Sequence, residues 1–103
     1  MAQFHLHVTT PEGNVWDADA DAVNAFGIDG HFGILPNHAP IIAALKPGVL
    51  KVDQGDQTHY FAAGEGVLEV RMDKDVVLLL EYAEPCSSAA EAREKVREAN
   101  QYS

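Results

Sequence analysis

The sequence has 103 residues, enough for one domain with a single modest core, and its 16 acidic and 7 basic side chains give a formal net charge of −9. Nucleic acid is a poor partner for such an acidic surface, and a basic protein is a better one. A composition of 47% hydrophobic and 22% charged residues excludes a disordered chain, and no run of residues is long and apolar enough to span a membrane.

The first predicted element is a strand over residues 4–8, where apolar and polar residues alternate with the period of two of a half-buried strand. It begins too close to Met1 for a targeting segment to precede it, so we expect a cytoplasmic location or an already processed form. Thr10–Gly13 is a predicted turn, and residues 15–16 begin a second extended run.

Short apolar runs separated by turn residues continue as far as residue 84. Many short strands with turns at this spacing predict a sandwich or a barrel. The further predicted strands cover residues 23–26, 41–45, 49–52, 58–62, 66–71 and 76–82.

The pattern changes after residue 84. Glu84 and Pro85 are expected to end the last strand, and Ser88 with Glu91 three residues later is a capping-box signature that opens a helix over residues 89–101. Val96 is the only large aliphatic residue of this helix, so it must pack on the sheet or on another chain, or fray. The predicted organisation is a β-sandwich domain at 1–84 and a C-terminal helical segment at 85–103.

One motif suggests a metal site. His5 and His7 followed by Glu12 resemble the ligand spacing of cupins, in which one strand presents two imidazoles and a nearby carboxylate. A small cupin-like metal enzyme using these three residues is therefore the second candidate function. The favoured interpretation is two histidines on the wet face of an edge strand.

Other motifs fail as catalytic or binding sites. Asp17, Asp19 and Asp21 lie on one face of a strand and imitate the start of a calcium loop, but Ala22 and Ile28 stand where such a loop needs glycine and glutamate. No phosphate-binding loop and no nucleophile elbow is present. Cys86 is the only cysteine, so an internal disulfide is excluded and a surface or half-buried thiol is expected. The chain is predicted not to be an enzyme and to need no cofactor or metal.

The stretch Gly30–Pro40 is both apolar and rigid. Leu35–His38 is predicted to be a tight corner, because Asn37 tolerates the left-handed region, and Pro40 biases Ala39 toward extended geometry. Two interpretations are equally favoured: a stiff surface loop that docks on a partner, or a buried corner of the core.

The same stretch carries a family resemblance. "GILPNHAP" followed by "IIAALKPGVL" resembles the signature of the epsilon subunit of F-type ATP synthases, which is called delta in mitochondria. Further matches are the opening strand at 4–8, the pair at 15–16, and "GEGVLEV" at 64–70. The likeness covers about residues 3–84, with the order and spacing of the motifs kept.

The resemblance implies a flattened β-sandwich of about ten strands, followed here by a single short C-terminal α-helix. It implies a central-stalk subunit that binds the gamma subunit and the ring of c subunits and couples proton or sodium flow to ATP synthesis, while catalysis lies elsewhere. Such a subunit is peripheral, held through the complex at the cytoplasmic face of the bacterial inner membrane or the equivalent organelle face.

Carried over by position, the resemblance also implies two interfaces. The c-ring interface would be Asp29, Gly30, His31 and Phe32, and family members often carry an acid where this chain has His31. The gamma interface would be Thr10, His38, Ala39, Pro40 and Ala43. Many bacterial members continue into a second helix that can inhibit ATP hydrolysis and in some binds ATP; the resemblance implies a short form without either property.

Overall fold

The computed structural model of the chain describes residues 2–101, so the last two residues of the predicted helical segment lie outside the described part. Within it, ten β-strands precede one α-helix, which confirms the mainly β class. The elements are β1 (Phe4–Thr10), β2 (Gly13–Ala20), β3 (Ala22–Gly27), β4 (Gly30–Ile34), β5 (Ile41–Leu45), β6 (Gly48–Gln54), β7 (Gln57–Ala63), β8 (Gly66–Val70), β9 (Val76–Leu80), β10 (Ala83–Cys86) and α1 (Ala89–Gln101).

The strands form one hydrogen-bonded sheet that folds over on itself. Their order is β10-β7-β6-β3-β5-β8-β9-β1-β2, with β4 paired to β3. β3 meets β5 through a single residue pair, Gly27 with Leu45, and β2, which ends the sheet on one side, contacts β6 of the other layer. The result is a flattened sandwich with one layer built from β3, β4, β6, β7 and β10 and the other from β5, β8, β9, β1 and β2.

The core lies between these layers and follows the alternation of the strands. Phe4, Leu6 and Val8 of β1 are buried, as the period of two predicts, while the histidines between them face outward. The other strands contribute Val23, Val52, Leu68 and Leu78, none of which has any exposed surface, together with buried Ile34, Leu50, Phe61, Val70 and Leu80.

Two strands lie where the sequence predicts none. β4 runs through Gly30–Ile34, where a loop is expected, because β3 supplies an antiparallel partner along its whole length. β10 continues through Glu84 and Pro85, so the expectation that these residues end the last strand is wrong. β10 is at the edge of the sheet, where a proline is tolerated because its missing N–H does not remove a hydrogen bond between two central strands.

The helix begins and ends where the sequence predicts. The Ser88 Oγ accepts a hydrogen bond from the Glu91 N–H at 3.1 Å, which is the expected N-cap. The Glu91 carboxylate reaches back one residue further than a capping box requires, to the Ser87 hydroxyl at 2.9 Å. α1 packs on the outer face of β6 and β7, burying Ala92 and Val96 against Ala62, so of the alternatives foreseen it is packing on the sheet that holds the helix.

Candidate functional site

The turn between β3 and β4 projects from one end of the sandwich. Gly27 pairs with Gly30, and Gly30 adopts a φ of 119°, a conformation that favours glycine. Ile28 at the tip is 59% exposed, yet its N–H donates a hydrogen bond to the Ala44 carbonyl of β5 at 3.4 Å. The tip is therefore an exposed apolar point that is anchored to the neighbouring strand.

The four residues expected at the c-ring interface do not form one free loop. Asp29 is exposed in the turn, whereas the next three residues belong to β4. His31 is exposed and its ring lies 4.8 Å from that of Phe26, while Phe32 packs against the core. Among the side chains of these four residues, those of Asp29 and His31 are the ones that a partner would meet.

The predicted corner at Leu35–His38 is confirmed. The His38 N–H donates to the Leu35 carbonyl at 3.2 Å, and Asn37 has a φ of 69° in the left-handed region. Leu35 and residues 37–40 are exposed. The interpretation of this segment as a buried corner is wrong, and the surface interpretation stands.

A groove of about 540 Å³ lies between the β3–β4 hairpin and β5. It brings His38 and Ala43 together with the residues of the β3–β4 turn, so parts of both expected interfaces border one depression. Ala39 and Pro40 are exposed on the segment that leads into β5. Thr10 lies elsewhere, at the turn after β1, where its hydroxyl donates to the Gly13 carbonyl at 3.2 Å.

An exposed apolar patch lies between Thr10 and the groove that contains His38 and Ala43. Pairing sets Ala44, Val67 and Leu79 side by side on the outer face of β5, β8 and β9, and Ile42 projects from the same face of β5. Ile42 is 72% exposed and Leu79 is 55% exposed. We call Ile42, Ala44, Val67 and Leu79 the outer apolar patch.

The outer apolar patch connects the positions expected to contact gamma. Thr9 pairs with Leu79, so one end of the patch adjoins Thr10, which shares a shallow depression with Leu79. At the other end, Ile42 borders the groove that holds His38 and Ala43. Sequence reasoning missed the patch, although β5 and β9 are uninterrupted apolar runs, the pattern of strands covered on both faces.

A second cluster lies on the outer face of β1 and β2. The His5 Nε2 is 2.5 Å from the Asp17 Oδ1, and the His5 Nδ1 is 3.0 Å from the Asp19 Oδ1. The Asp17 carboxylate, followed by that of Asp19, raises the pKa of His5, and the same hydrogen bond with His5 lowers the pKa of Asp17. His7 lies between Asp17 and Asp75, 3.4 Å from a carboxylate oxygen of each.

This cluster differs from the cupin-like expectation. The group within reach of one metal ion consists of His5, His7 and Asp17, and does not include Glu12. The two histidines do lie on a wet face, but β1 pairs with both β9 and β2 and is not an edge strand. Asp17 and Asp19 share the predicted face.

Cys86 is half-buried, so of the two expected placements of this thiol, surface or half-buried, the second is found. Burial raises the pKa of its thiol, which outweighs the nearby Lys95 ammonium. A protonated thiol in this position gives no sign of nucleophilic chemistry.

Comparison with known proteins identifies the family of the chain. Residues 3–85 match the sequence profile of the family described as ATP synthase, Delta/Epsilon chain, beta-sandwich domain. The chain belongs to this family. The match confirms the resemblance to the epsilon subunit of F-type ATP synthases that the sequence motifs suggest.

Curated relatives of this ATP synthase family align over most of the chain. The epsilon chain of Halalkalibacterium halodurans is 38% identical over 84 residues, covering 82% of this chain and 62% of the relative. That of Desulforamulus reducens is 45% identical over 73 residues, covering 71% of this chain and 55% of the relative. The chain thus spans somewhat more than half the length of these two epsilon chains.

Solved ATP synthase structures share the fold. A chain of the Euglena gracilis mitochondrial ATP synthase, in an OSCP/F1/c-ring structure, superposes with a TM-score of 0.79 at 21% identity and covers 99% of this chain and 66% of its own length. A chain of the Tetrahymena thermophila mitochondrial ATP synthase, in a central stalk and c-ring structure, superposes with a TM-score of 0.68 at 14% identity. The superposition covers 94% of this chain and 90% of that one. At these identities the likeness establishes the sandwich fold of the delta/epsilon family.

Proposed function

We propose that the chain is a rotor subunit of an F-type ATP synthase, which binds the gamma subunit through the outer apolar patch and meets the c ring through the β3–β4 turn. The observation that carries the proposal is the outer apolar patch itself, because contiguous exposed apolar surface marks a protein interaction site. The chain has no catalytic or cofactor role in this proposal. It transmits torque and so couples proton or sodium flow to ATP synthesis.

The gamma surface in this proposal extends from Thr10 to His38. The outer apolar patch supplies the apolar centre, and Thr10 and His38 lie at its two ends, where polar groups suit the rim of an interface. Ala39, Pro40 and Ala43 continue the surface along the segment before β5 and into the groove. Because the corner at Asn37 is already fixed, little ordering of the backbone opposes binding.

The c-ring surface in this proposal is the tip formed by Asp29, Gly30, His31 and Phe32. Ile28, directly before these four residues, adds an exposed apolar side chain, and Asp29 and His31 add exposed polar groups. Phe32 is partly buried and packs against the core, which supports the tip. A tip that is anchored to β5 is suited to transmitting force.

The proposal places the chain at the membrane through its partners alone. It would lie at the cytoplasmic face of the bacterial inner membrane, or the equivalent organelle face, held by gamma and the c ring. No helix among residues 2–101 has the length and apolar character needed to cross a membrane. The absence of extended-helix inhibition and of ATP binding stays a prediction.

Calorimetric titration with the gamma subunit tests the first interface. We expect one-to-one binding, and we expect Leu79→Asp to lose about 2 kcal/mol or more of binding free energy, as at the centre of an interface. Gln57→Asp is the control, because it adds the same charge at an exposed position of β7, in the layer that carries no part of the proposed gamma surface. Unchanged binding by folded Leu79→Asp would remove the patch from the gamma interface.

A reassembled ATP synthase tests the second interface. In it, Ile28→Asp is expected to weaken the coupling between ATP hydrolysis and proton pumping. The measurement is the ratio of pumping to hydrolysis in vesicles. An unchanged ratio with Ile28→Asp would show that the tip does not contribute to the contact with the ring.

A further inference from the structure

We propose that His5, His7 and Asp17 form a binding site for a divalent transition metal ion, for which Zn²⁺ is the probe. Strand geometry brings the three residues together. His5 and His7 project from the same outer face of β1, and the antiparallel register with β2 sets Asp17 opposite His7 and Asp19 opposite His5. The site is therefore built on two paired strands and not on a loop.

The ligand atoms converge on one side of the Asp17 carboxylate. The His5 Nε2 and the His7 Nδ1 lie 2.5 and 3.4 Å from the same oxygen, Oδ1 of Asp17. One ligand atom from each of the three residues lies within 4.8 Å of the others. Tetrahedral Zn²⁺ holds nitrogen and oxygen ligands at about 2.0–2.2 Å, so small rotations of these partly exposed side chains would place all three on one ion.

The second nitrogen of each imidazole faces a further carboxylate. The His5 Nδ1 lies 3.0 Å from Asp19, and the His7 Nε2 lies 3.4 Å from Asp75. With a proton on each of these nitrogens, the carboxylates fix the ring orientations and leave the other two nitrogens as metal ligands. Carboxylate–histidine–metal chains of this kind orient and strengthen protein zinc sites.

Charge and ligand type also favour a divalent cation. Three carboxylates, those of Asp17, Asp19 and Asp75, surround two imidazoles that are neutral when they bind a metal. Imidazole with carboxylate suits Zn²⁺ and its neighbours in the first transition row better than it suits Ca²⁺ or Mg²⁺. An ion held here would join β1 to β2 and should raise the thermal unfolding midpoint.

The test is calorimetric titration of the 103-residue chain, free of any polyhistidine tag, with Zn²⁺. We expect saturable one-to-one binding and a rise in the unfolding midpoint with Zn²⁺. His7→Ala and Asp17→Asn should abolish both effects, and Asp19→Asn and Asp75→Asn should weaken binding by about 10- to 100-fold.

Two control variants separate a built site from general attraction to an acidic surface. Asp56→Asn removes the same charge as Asp17→Asn but in the exposed turn between β6 and β7, and His38→Ala removes an exposed imidazole outside the cluster. Both should bind Zn²⁺ like the unaltered chain. Absence of saturable binding at millimolar Zn²⁺ would overturn the proposal, as would binding that persists in Asp17→Asn or falls equally in Asp56→Asn. Asp17→Asn keeps the side-chain shape, so it remains informative if His7→Ala does not fold.

Discussion

At Gly66 the backbone of β9 leaves no room for a side chain on β8. A Cβ atom built there would lie 2.9 Å from the Leu79 carbonyl carbon and closer still to its oxygen. Gly66 lies in a paired strand, opposite Leu80 of β9. The reason for glycine at this position is the nearness of backbone atoms, which no local pattern reveals.

Gly66→Ala is therefore expected to destabilise the protein, because the added Cβ would clash with the backbone of Leu79, which cannot move without opening the β8–β9 pair. The expected loss is about 1–3 kcal/mol of unfolding free energy, the range for overpacking. Urea unfolding measures it.

Gly33→Ala is the matched control for this substitution. Its added Cβ would meet the Asn24 side-chain oxygen at 2.8 Å, and that flexible amide is able to rotate away. Gly33→Ala should cost clearly less than Gly66→Ala. Equal losses would show that the approach of β8 to β9 is not what requires glycine.

At the scale of elements, strands and helices with a strong local pattern are predictable from the sequence. β1 alternates without interruption and α1 has a cap at its start, and both lie where they are expected. β4 escapes prediction because Gly30 and Gly33 lower strand propensity, and its partner β3 makes the strand. β10 escapes because Pro85 suggests a strand end unless the strand is known to be at the sheet edge.

The candidate site was predictable only in part, for a related reason. The Leu35–His38 corner follows from the turn chemistry of Pro36 and Asn37. The outer apolar patch could not be predicted in this way. A strand such as β5 has apolar residues on both faces, so its sequence does not indicate which face is buried in the core and which is exposed. The His5–Asp17 contact depends on the register between β1 and β2, which periodicity alone does not fix.

The start of α1 should respond to acid. The Ser87 hydroxyl, which donates to the carboxylate at 2.9 Å, is the main cause of a lowered pKa for Glu91. A carboxyl whose pKa is lower in the folded state than in the unfolded state stabilises the fold at pH values above its unfolded-state pKa. This stabilisation is lost as the pH falls through its folded-state pKa. The stability difference between the unaltered chain and Glu91→Gln should thus be present near neutral pH and shrink below the ordinary value of 4.5.

A double-mutant cycle with Ser87→Ala assigns this effect to the contact. In the Ser87→Ala background, Glu91→Gln should produce a smaller pH-dependent difference in urea unfolding. If the difference is the same in both backgrounds, the Ser87 hydroxyl is not the cause.

At the scale of the whole molecule, one outer face of the sandwich is covered by α1 and the other is exposed. α1 covers the face of β6 and β7, where outward-facing Val49 and Ala62 join Ala92 and Val96 in a separate small cluster. Among the described residues nothing covers the opposite face, and the outer apolar patch stays exposed there. One layer is thus closed by the chain's own helix, and the other is left for a partner in the proposed function.

This arrangement predicts how the chain tolerates shortening. A chain ending at Ser88 keeps all ten strands and loses the packing of α1 on Ala62 and on the partly buried Val49, Tyr82 and Cys86. It should therefore fold cooperatively with a loss on the order of 3 kcal/mol, the upper range for exposing one buried aliphatic side chain. A chain ending at Glu84 also loses the pairing of Pro85 and Cys86 with β7 and should be less stable still.

Trp16 provides the measurement, because its ring packs 4.8 Å from His59 and 6.2 Å from Phe61 and so reports on the sandwich and not on α1. Urea unfolding followed by its fluorescence should give one transition for each chain, with midpoints falling in the order full length, 1–88, 1–84. The predicted division into a sandwich domain at 1–84 and a helical segment at 85–103 requires a transition of the 1–84 chain. If that chain shows none, sandwich and helix form one cooperative unit and the division is wrong.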